Sequence, residues 1–404
     1  MWASAIDRYD DFARNQGTDS AADADRPFTL NLISNRQNRI HWLESSRELV
    51  AGTSANCFVI SGDLQTGALA PGHYFVYPLK DLGVSQHQPL KTPSGLVYLQ
   101  RGSRVMRELV DISEDRPDPS RELNLLSEHM AGIGILSYDF QSLSIPIIWQ
   151  VNQDGLLHGL THLAEQNVTA AHRHDLGAPV LDVACYSSNS FEDHVFLLVN
   201  RAGVKTIERL SLGQINHPNT EASTTWRYLD SWQRHTVAPD TATNLTGASR
   251  FGSSPITVTV EAIEMTEKFT QTGGVVELPP TRGGQVLAGL AIESQATTTA
   301  GVMNGEAGSS FLRRGQVADF FLDLNRSGEV IVTLASNNNP NDSRRTLNRT
   351  QAEILDQLPP LHTGQVYLPG LPNITDKPTI TLTAAHTHPV TILALSYNYR
   401  TKQR

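Results

Sequence analysis

Ile147-Ile148-Trp149-Gln150-Val151-Asn152 and Leu156-Leu157-His158-Gly159-Leu160-Thr161 stand on either side of Gln153-Asp154-Gly155. Two short apolar runs joined by an Asp-Gly turn are the strongest local sign of an antiparallel hairpin, because the glycine takes the positive φ that a tight reversal needs. The pattern recurs in both directions along the chain. Leu96 to Gln100 and Arg104 to Val110 flank Arg101-Gly102-Ser103, and Val195 to Asn200 and Val204 to Leu210 flank Arg201-Ala202-Gly203. Further upstream, Arg39 to Leu43, Glu48 to Thr53 and Cys57 to Ser61 read as three neighbouring strands. Between Arg39 and Leu210 these hairpins group into about four units of roughly forty to fifty residues, each the size of a β-propeller blade. Radial repetition solves the edge-strand problem of so strand-rich a chain. Four units are few for a closed ring, so either the count is wrong or something else completes it.

The same reading divides the chain into an N-terminal segment (1–38), a β-propeller-like module (39–215), a Thr/Asn/Ser/Pro-rich connector (216–254) and a C-terminal domain (255–404). Trp226, Tyr228 and Trp232 predict that the middle of the connector packs on something. In the last domain Ile256-Thr257-Val258-Thr259-Val260 alternates with period two, as a half-buried strand must. Val317 to Leu324 and Glu329 to Leu334 flank Asn325-Arg326-Ser327-Gly328 as a further hairpin. Thr379 to Ala384 places Ile380, Leu382 and Ala384 on one face, and Leu393, Leu395, Tyr397 and Tyr399 share a face in the last strand. Ser294 to Ser310 reads as a long small-residue loop that orders only against a partner. The expected class is mainly β: an antiparallel propeller-like module followed by a β-sandwich or barrel-like domain. Helical spacing is confined to two connectors, Pro119 to Met130 (Leu123, Leu126, Met130) and Arg349 to Leu358 (Ile354, Leu355, Leu358).

The 404 residues carry 32 Lys and Arg against 41 Asp and Glu, a net charge of −9. Such a chain does not grip phosphate by counterion release. Two cysteines, Cys57 and Cys185, make neither a disulfide framework nor a metal-ligand spacing. The amino terminus has no apolar core of a signal peptide, and no stretch reaches the ~18 apolar residues of a membrane span. Asn167, Asn244 and Asn373 open Asn-x-Ser/Thr triplets, which so Asn/Ser/Thr-rich a chain produces by chance.

Histidine, at 14 copies, is the first place to look for chemistry. His158 and His162 have the spacing of two zinc ligands on a helix, but on a strand they lie some 13 Å apart. His172/His174 and His386/His388 put two rings on one strand face, with no third ligand in sight. The carboxylate pairs Asp10-Asp11, Asp23/Asp25 and Glu192-Asp193 would suit glycoside hydrolysis only at a defined separation, and read more simply as solvated turns. Asp19 to Asp25 is an acidic, Ala-rich surface stretch that offers at most weak calcium ligation. Arg313-Arg314 and Arg344-Arg345 are surface or subunit-contact doublets. No Gly-x-Ser-x-Gly elbow or phosphate loop occurs, and Gly132-Ile133-Gly134 lacks the rest of a dinucleotide fingerprint. No catalytic, cofactor-binding or metal residue is assigned, and no cofactor is expected.

Several segments, taken in order, resemble the tail nozzle or tail tubular proteins of short-tailed bacteriophages. They are Trp2-Ala3-Ser4 to Tyr9-Asp10-Asp11-Phe12, Phe28-Thr29-Leu30 to Ile40-His41-Trp42-Leu43, and Leu49-Val50-Ala51-Gly52-Thr53-Ser54. Next come Val97-Tyr98-Leu99-Gln100-Arg101-Gly102 with Arg107-Glu108-Leu109, Leu126-Ser127-Glu128-His129-Met130, Asp154-Gly155 with Gly159-Leu160-Thr161, and His172-Arg173-His174-Asp175. Gly284-Gln285-Val286 to Gly289-Leu290 and the closing Thr379 to Leu395, with Pro389, are similar more loosely. Relatives in that family carry a long portion ahead of the Trp-Ala-Ser segment. The resemblance implies a non-enzymatic structural virion protein of the tail, made in the host cytoplasm. It implies a homo-oligomeric ring, six copies about the tail axis, with a connector or adaptor protein above, tail-fibre or tail-tip proteins below, and genomic DNA passing through the lumen. The alternative reading is a propeller-based glycan-binding or glycan-degrading protein, marked by an exposed Trp226 or Trp232 or by paired carboxylates in a central pocket.

Overall fold

All six residues of Ile147–Asn152 are buried, and they form the second strand of a four-stranded antiparallel sheet. In a computed structural model the chain is described at residues 2–4, 12, 27–34, 38–46, 48–62, 69–70, 74–79, 82–110, 120–143, 145–187, 193–210, 228–261, 263–299, 304–305, 308–309, 315–335, 342–346, 361–370, 374–375 and 379–401. The turn at Asp154-Gly155 closes as its sequence requires. Gly155 sits at φ +79°, and the Asn152 side-chain oxygen accepts the Asp154 and Leu156 amides at 3.0 and 2.9 Å. Trp149 then pairs with Gly159 and Gln150 with His158.

The chain divides into two units, Met1–Gly213 and Gln214–Arg404. The first is a succession of antiparallel meanders. Meander 1 comprises Ile40–Ser45, Leu49–Thr53, Cys57–Gly62 and Tyr74–Pro78, and meander 2 Leu90–Thr92, Gly95–Leu99, Met106–Leu109 and Ser120–Glu122. Meander 3 comprises Ile135–Gln141, Ile147–Asn152, Leu157–Leu163 and Val168–His174, and meander 4 Val180–Tyr186, His194–Arg201 and Val204–Leu210. Each of the first three sheets lends alternate residues to two different cores, and the fourth lends one face to the last of them. Trp42, Val50, Cys57 and Val59 of meander 1 meet Leu96, Tyr98 and Leu109 of meander 2. The opposite residues of meander 2, Val97, Leu99 and Met106, meet Ile135, Tyr138, Ile148 and Leu160 of meander 3. Ile147, Trp149, Val151 and Leu157 then meet Val180, Val183, Val195, Leu197 and Val199 of meander 4. On the far side of meander 1, Ala51, Phe58 and Ile60 are covered by Leu30 with Phe28 and Leu32. The unit is thus a face-to-face stack of blade-sized sheets, and the described residues contain no closed barrel.

In the second unit, Leu229–Val237 and Ile256–Val260 both pair with Gly284–Ala291, and a two-stranded ribbon, Thr243–Thr246 with Val275–Leu278, completes their core. The 216–254 connector expected from composition is therefore built into this sheet from Leu229 onward. Thr-, Asn- and Ser-rich strands at a solvated edge look like linker, and the partner that orders them lies about fifty residues downstream. A two-sheet sandwich follows. One sheet runs Ser294–Thr297, Thr379–Ala384, Ile331–Ala335, Asp342–Arg345. The other has Gly315–Ser327 between His362–Pro369 and Ile392–Thr401, and its Val317, Phe320, Leu322 and Leu324 pack on Val332, Leu334, Ile380 and Leu382 of the first.

Four local expectations need correcting. Val317–Leu324 and Glu329–Leu334 are not a hairpin: they belong to opposite sheets, and the Asn325–Gly328 corner carries the chain across the sandwich, held by Gly328 N donating to Pro389 O at 2.8 Å. Leu393 does not share a face with Leu395 and Tyr397, because a register shift pairs Leu324 with Ile392 and leaves Leu393 63% exposed. Pro119–Met130 is no amphipathic helix. It contributes the strand Ser120–Glu122 and enters a 3-10 turn, Glu128–Ala131, so that Leu123 is buried while Leu126 is 94% exposed. Part of Ser294–Ser310 orders on its own chain, as Ser294–Thr297 pairs with Thr379–Ala384. The second helical candidate, Arg349 to Leu358, lies outside the described residues. Thr379–Ala384 does bury Ile380, Leu382 and Ala384 on one face.

Gly52 is required by packing. It pairs with Trp42, whose indole lies where a Cβ would stand. Gly52→Val should expel Trp42 from the first core at a cost of about 1–3 kcal/mol. A red-shifted tryptophan emission and a lower denaturant midpoint would report it; an unchanged emission maximum would show that Trp42 is not held there.

Candidate functional site

The contacts between successive meanders hold most of the polar side chains that chemistry needs. Glu108, fully buried, is shared by the second and third meanders: Arg121 Nε donates to its Oε2 at 2.5 Å, His162 Nε2 lies 3.1 Å from Oε1, and the Ser94 hydroxyl also donates to Oε1. Ser94 Oγ is 3.3 Å from His162 Nε2. A serine, a histidine and a carboxylate in mutual contact invite comparison with an acyl-transfer relay. That relay needs serine and carboxylate on opposite ring nitrogens. Here both face Nε2, while Nδ1 lies 3.4 Å from Thr169 Oγ1. The cluster is a hydrogen-bonded pin between two sheets. Although burial opposes ionisation, the hydrogen bonds from His162, Ser94 and Arg121 hold the Glu108 carboxyl down at about 2.

The histidine pairs resolve in the same way. His158 and His162 lie on the strand Leu157–Leu163, both buried. His172 Nδ1 and His174 Nε2 are 2.8 Å apart and pack on Trp149, with ring centroids 5.7 and 5.0 Å from the indole. Thr161 Oγ1 lies 3.2 Å from His172 Nε2. Gly159 leaves room for the His172 ring, which would overlap any Cβ at that position. Burial, reinforced by neighbouring Arg173, His129 and His172, lowers His158 to about 4, and burial with His172 and His158 lowers His174 to about 4. In the sandwich, both nitrogens of His386 are used, one against Glu329 O at 2.7 Å and the other accepting the His388 amide at 3.1 Å. Among the described residues no group of three or more His, Cys, Asp or Glu is placed to hold a metal.

The remaining candidates are dispersed. Asp10, Asp11, Asp19 to Asp25, Glu192, Trp226, Arg313 and Arg314 lie outside the described residues. Asp193 is 3% exposed and accepts the Ser142 and Leu143 amides at 2.7 and 2.9 Å, which ties meander 4 to meander 3. Arg345 pairs with Glu329 at 3.1 Å on a sandwich edge. Gly132 and Gly134 shape the turn into the strand Ile135–Gln141, with no helix after them. Burial raises the Cys57 thiol to about 12 and raises Cys185 further, so both are inert. Trp232 lies beneath Arg234, whose guanidinium is 5.9 Å from the ring.

Sequence reasoning missed the outward face of meander 4. Alternation on His194–Arg201 sends Val195, Leu197 and Val199 inward and leaves Phe196 and Leu198 on the other side, where they meet Ile207 and Arg209 of the neighbouring strand. Tyr186 and Ile207, on that same side, are 62% and 77% exposed. The unbroken run Val195-Phe196-Leu197-Leu198-Val199 is the signal that pointed there, since a strand with one wet face alternates.

No family model matches the chain, and no curated protein matches it. Among solved structures it is similar to SGBP-B from a complex xyloglucan utilization locus in Bacteroides uniformis, at 8% identity over 91% of this chain and 99% of that one, with a TM-score of 0.14. Overlap that shallow carries neither fold nor function from one protein to the other. No helix among the described residues is long and apolar enough to cross a membrane.

Acid should weaken the stack in two windows. Between the ordinary histidine value of 6.5 and about 4, the unfolded chain takes up protons that folded His158 and His174 refuse, so stability falls with pH there. Glu108 stabilises above its ordinary 4.5, and that contribution is lost as pH falls towards about 2. Glu108→Gln should cost about 3 kcal/mol at pH 7 and flatten only the lower window. Urea midpoints measured from pH 8 to 3 test this, and an E108Q profile parallel to wild type below pH 4.5 would refute it.

Proposed function

We propose that this chain is a structural subunit of the tail nozzle ring of a short-tailed bacteriophage, extending the DNA-ejection channel below the head-to-tail connector. The observation that carries the reading is the apolar outward face of meander 4. Every other interface in the stack buries such a face against a neighbouring sheet, and here Tyr186, Phe196, Leu198 and Ile207 stand ready for one. A heterologous contact of that kind, repeated about an axis, closes a ring. The serial motifs from Trp2 to Asp175 support the same reading. So does the charge: the first unit carries 17 Lys and Arg against 25 Asp and Glu, and the second 15 against 16. An acidic wall repels phosphate, so DNA slides past it instead of adhering.

In this role the protein does no bond chemistry. It forms a ring of six copies, meets a connector or adaptor protein on one side and tail-fibre or tail-tip proteins on the other, and conducts the genome without reading its sequence. Its place is the virion tail.

Mass photometry of the purified 44.3 kDa chain should show a concentration-dependent closed oligomer, six-fold in mass. Ile207→Asp, at a position 77% exposed, should leave the monomer folded and shift assembly at least tenfold in concentration. A chain that stays monomeric at every concentration and is missing from purified virions would defeat the proposal.

A further inference from the structure

The outer face of the second sandwich sheet presents a row of exposed or half-buried side chains on each of its three long strands. Register across its three strands gives three rows of outward side chains: Pro369, Asp319 and Asn398; Tyr367, Phe321 and Ser396; Gln365, Asp323 and Ala394. The middle row is aromatic. The Phe321 and Tyr367 ring centroids are 5.5 Å apart at 52°, and Tyr367 is 58% exposed. Ser396 and Ala394, both small and exposed, keep the surface open beside the rings. Asp319 fixes the tyrosine: the Tyr367 hydroxyl donates to Oδ1 at 2.7 Å, and Asn398 Nδ2 reaches Oδ2 at 3.4 Å. Those hydrogen bonds also lower the Asp319 carboxyl from its ordinary value.

From this juxtaposition we infer that the outer face of Gly315–Ser327 and its two neighbours is a binding platform for a neutral glycan chain. Tyr367, tethered by Asp319 and tilted against Phe321, offers the apolar face of a pyranose ring a contact surface at little entropic cost. Carboxylate, amide and hydroxyl groups of Asp323, Gln365, Asn398 and Ser396 surround them, the mixture of acceptors and donors that vicinal hydroxyls satisfy. Charge selects the class. Asp319 and Asp323 flank the aromatic row on both sides and repel a polymer that carries uronates or other acids. The inference is independent of the nozzle reading, since it concerns a different unit and a different surface.

The test is native affinity electrophoresis of the full chain in gels cast with hydroxyethylcellulose, galactomannan or dextran, and with alginate as the acidic control. At least one neutral polysaccharide should retard the chain while alginate does not. Tyr367→Ala should weaken that retardation at least tenfold and Asp323→Asn several-fold, with unchanged circular dichroism and an unchanged oligomer mass. Equal mobility in every gel, stronger retardation by alginate, or retardation that survives Y367A would overturn the inference. Loss of self-association in Y367A would overturn it too, by showing that the platform is an interface between copies. Failure of the nozzle reading would appear instead in the mass of wild type and I207D, which this platform does not set.

Discussion

The central strands of the first three sheets are dry on both faces, and the rest of the first unit follows from this. When residue i packs in one core and residue i+1 in the next, a strand cannot alternate between apolar and polar. Ile147, Trp149 and Val151 serve the third interface while Ile148 and Leu160 serve the second. A register slip of one residue would not merely expose a face; it would exchange the contents of two cores. Several polar residues that share these strands are satisfied in place, although Gln150 Oε1 and His158 Nδ1 are buried without a hydrogen-bond partner among the described residues. Trp149 donates its indole N–H to Gln141 Oε1 at 2.9 Å, and Asn152 uses its side chain to close the turn that follows it.

The same constraint explains where the ionisable groups sit. Successive sheets are tied by hydrogen bonds that only one stacking geometry satisfies: Lys91 to Glu44 at 2.8 Å between the first and second meanders, His162 with Glu108 between the second and third, and the Cys185 amide to Asp139 at 2.6 Å between the third and fourth. The buried Glu108–His162 contact adds little net stability over apolar packing, yet its loss is expensive because it strands a partner, whereas the exposed Lys91–Glu44 pair contributes little either way. Their value is in fixing which sheet faces which. The histidines around Trp149 do related work, filling an interface with flat, neutral rings where Gly159 leaves space. Their resemblance to metal pairs is a consequence of period two on a strand, which places any i, i+2 pair on one face.

Much of the first unit was legible because its hairpins are local. Asp154-Gly155 and Ala202-Gly203 mark reversals whose two strands are adjacent in sequence, so turn chemistry alone gives the pairing. The second unit was less legible because its pairings are not local. Asn325-Arg326-Ser327-Gly328 has the composition of a hairpin turn, but the two strands beside it find partners near residues 362–369, 379–384 and 392–401, which no local signal foretells. Leu393 shows a finer limit: a single-residue register shift inverts the face of the residues before it, and period counting cannot see a bulge. The polar clusters were invisible for a similar reason, since Glu108 and His162 are 54 residues apart.

The last sheet of the stack departs from the way such rows end. A solenoid or a row of sheets that ends in solvent changes composition at its final face, exchanging apolar side chains for polar ones. His194–Arg201 does not. Its inward residues Val195, Leu197 and Val199 are matched outward by Phe196 and Leu198, and across the strand pair by Ile207. Charges border that side, with Lys205 opposite Asn200, Arg209 opposite Phe196 and Asp182 opposite Leu198, so the face is an apolar stripe among charges of both signs. That is the anatomy of an interface, a dry centre inside a polar margin. In the proposed ring, the apolar stripe supplies the buried area and the margin of mixed charge selects which neighbour covers it.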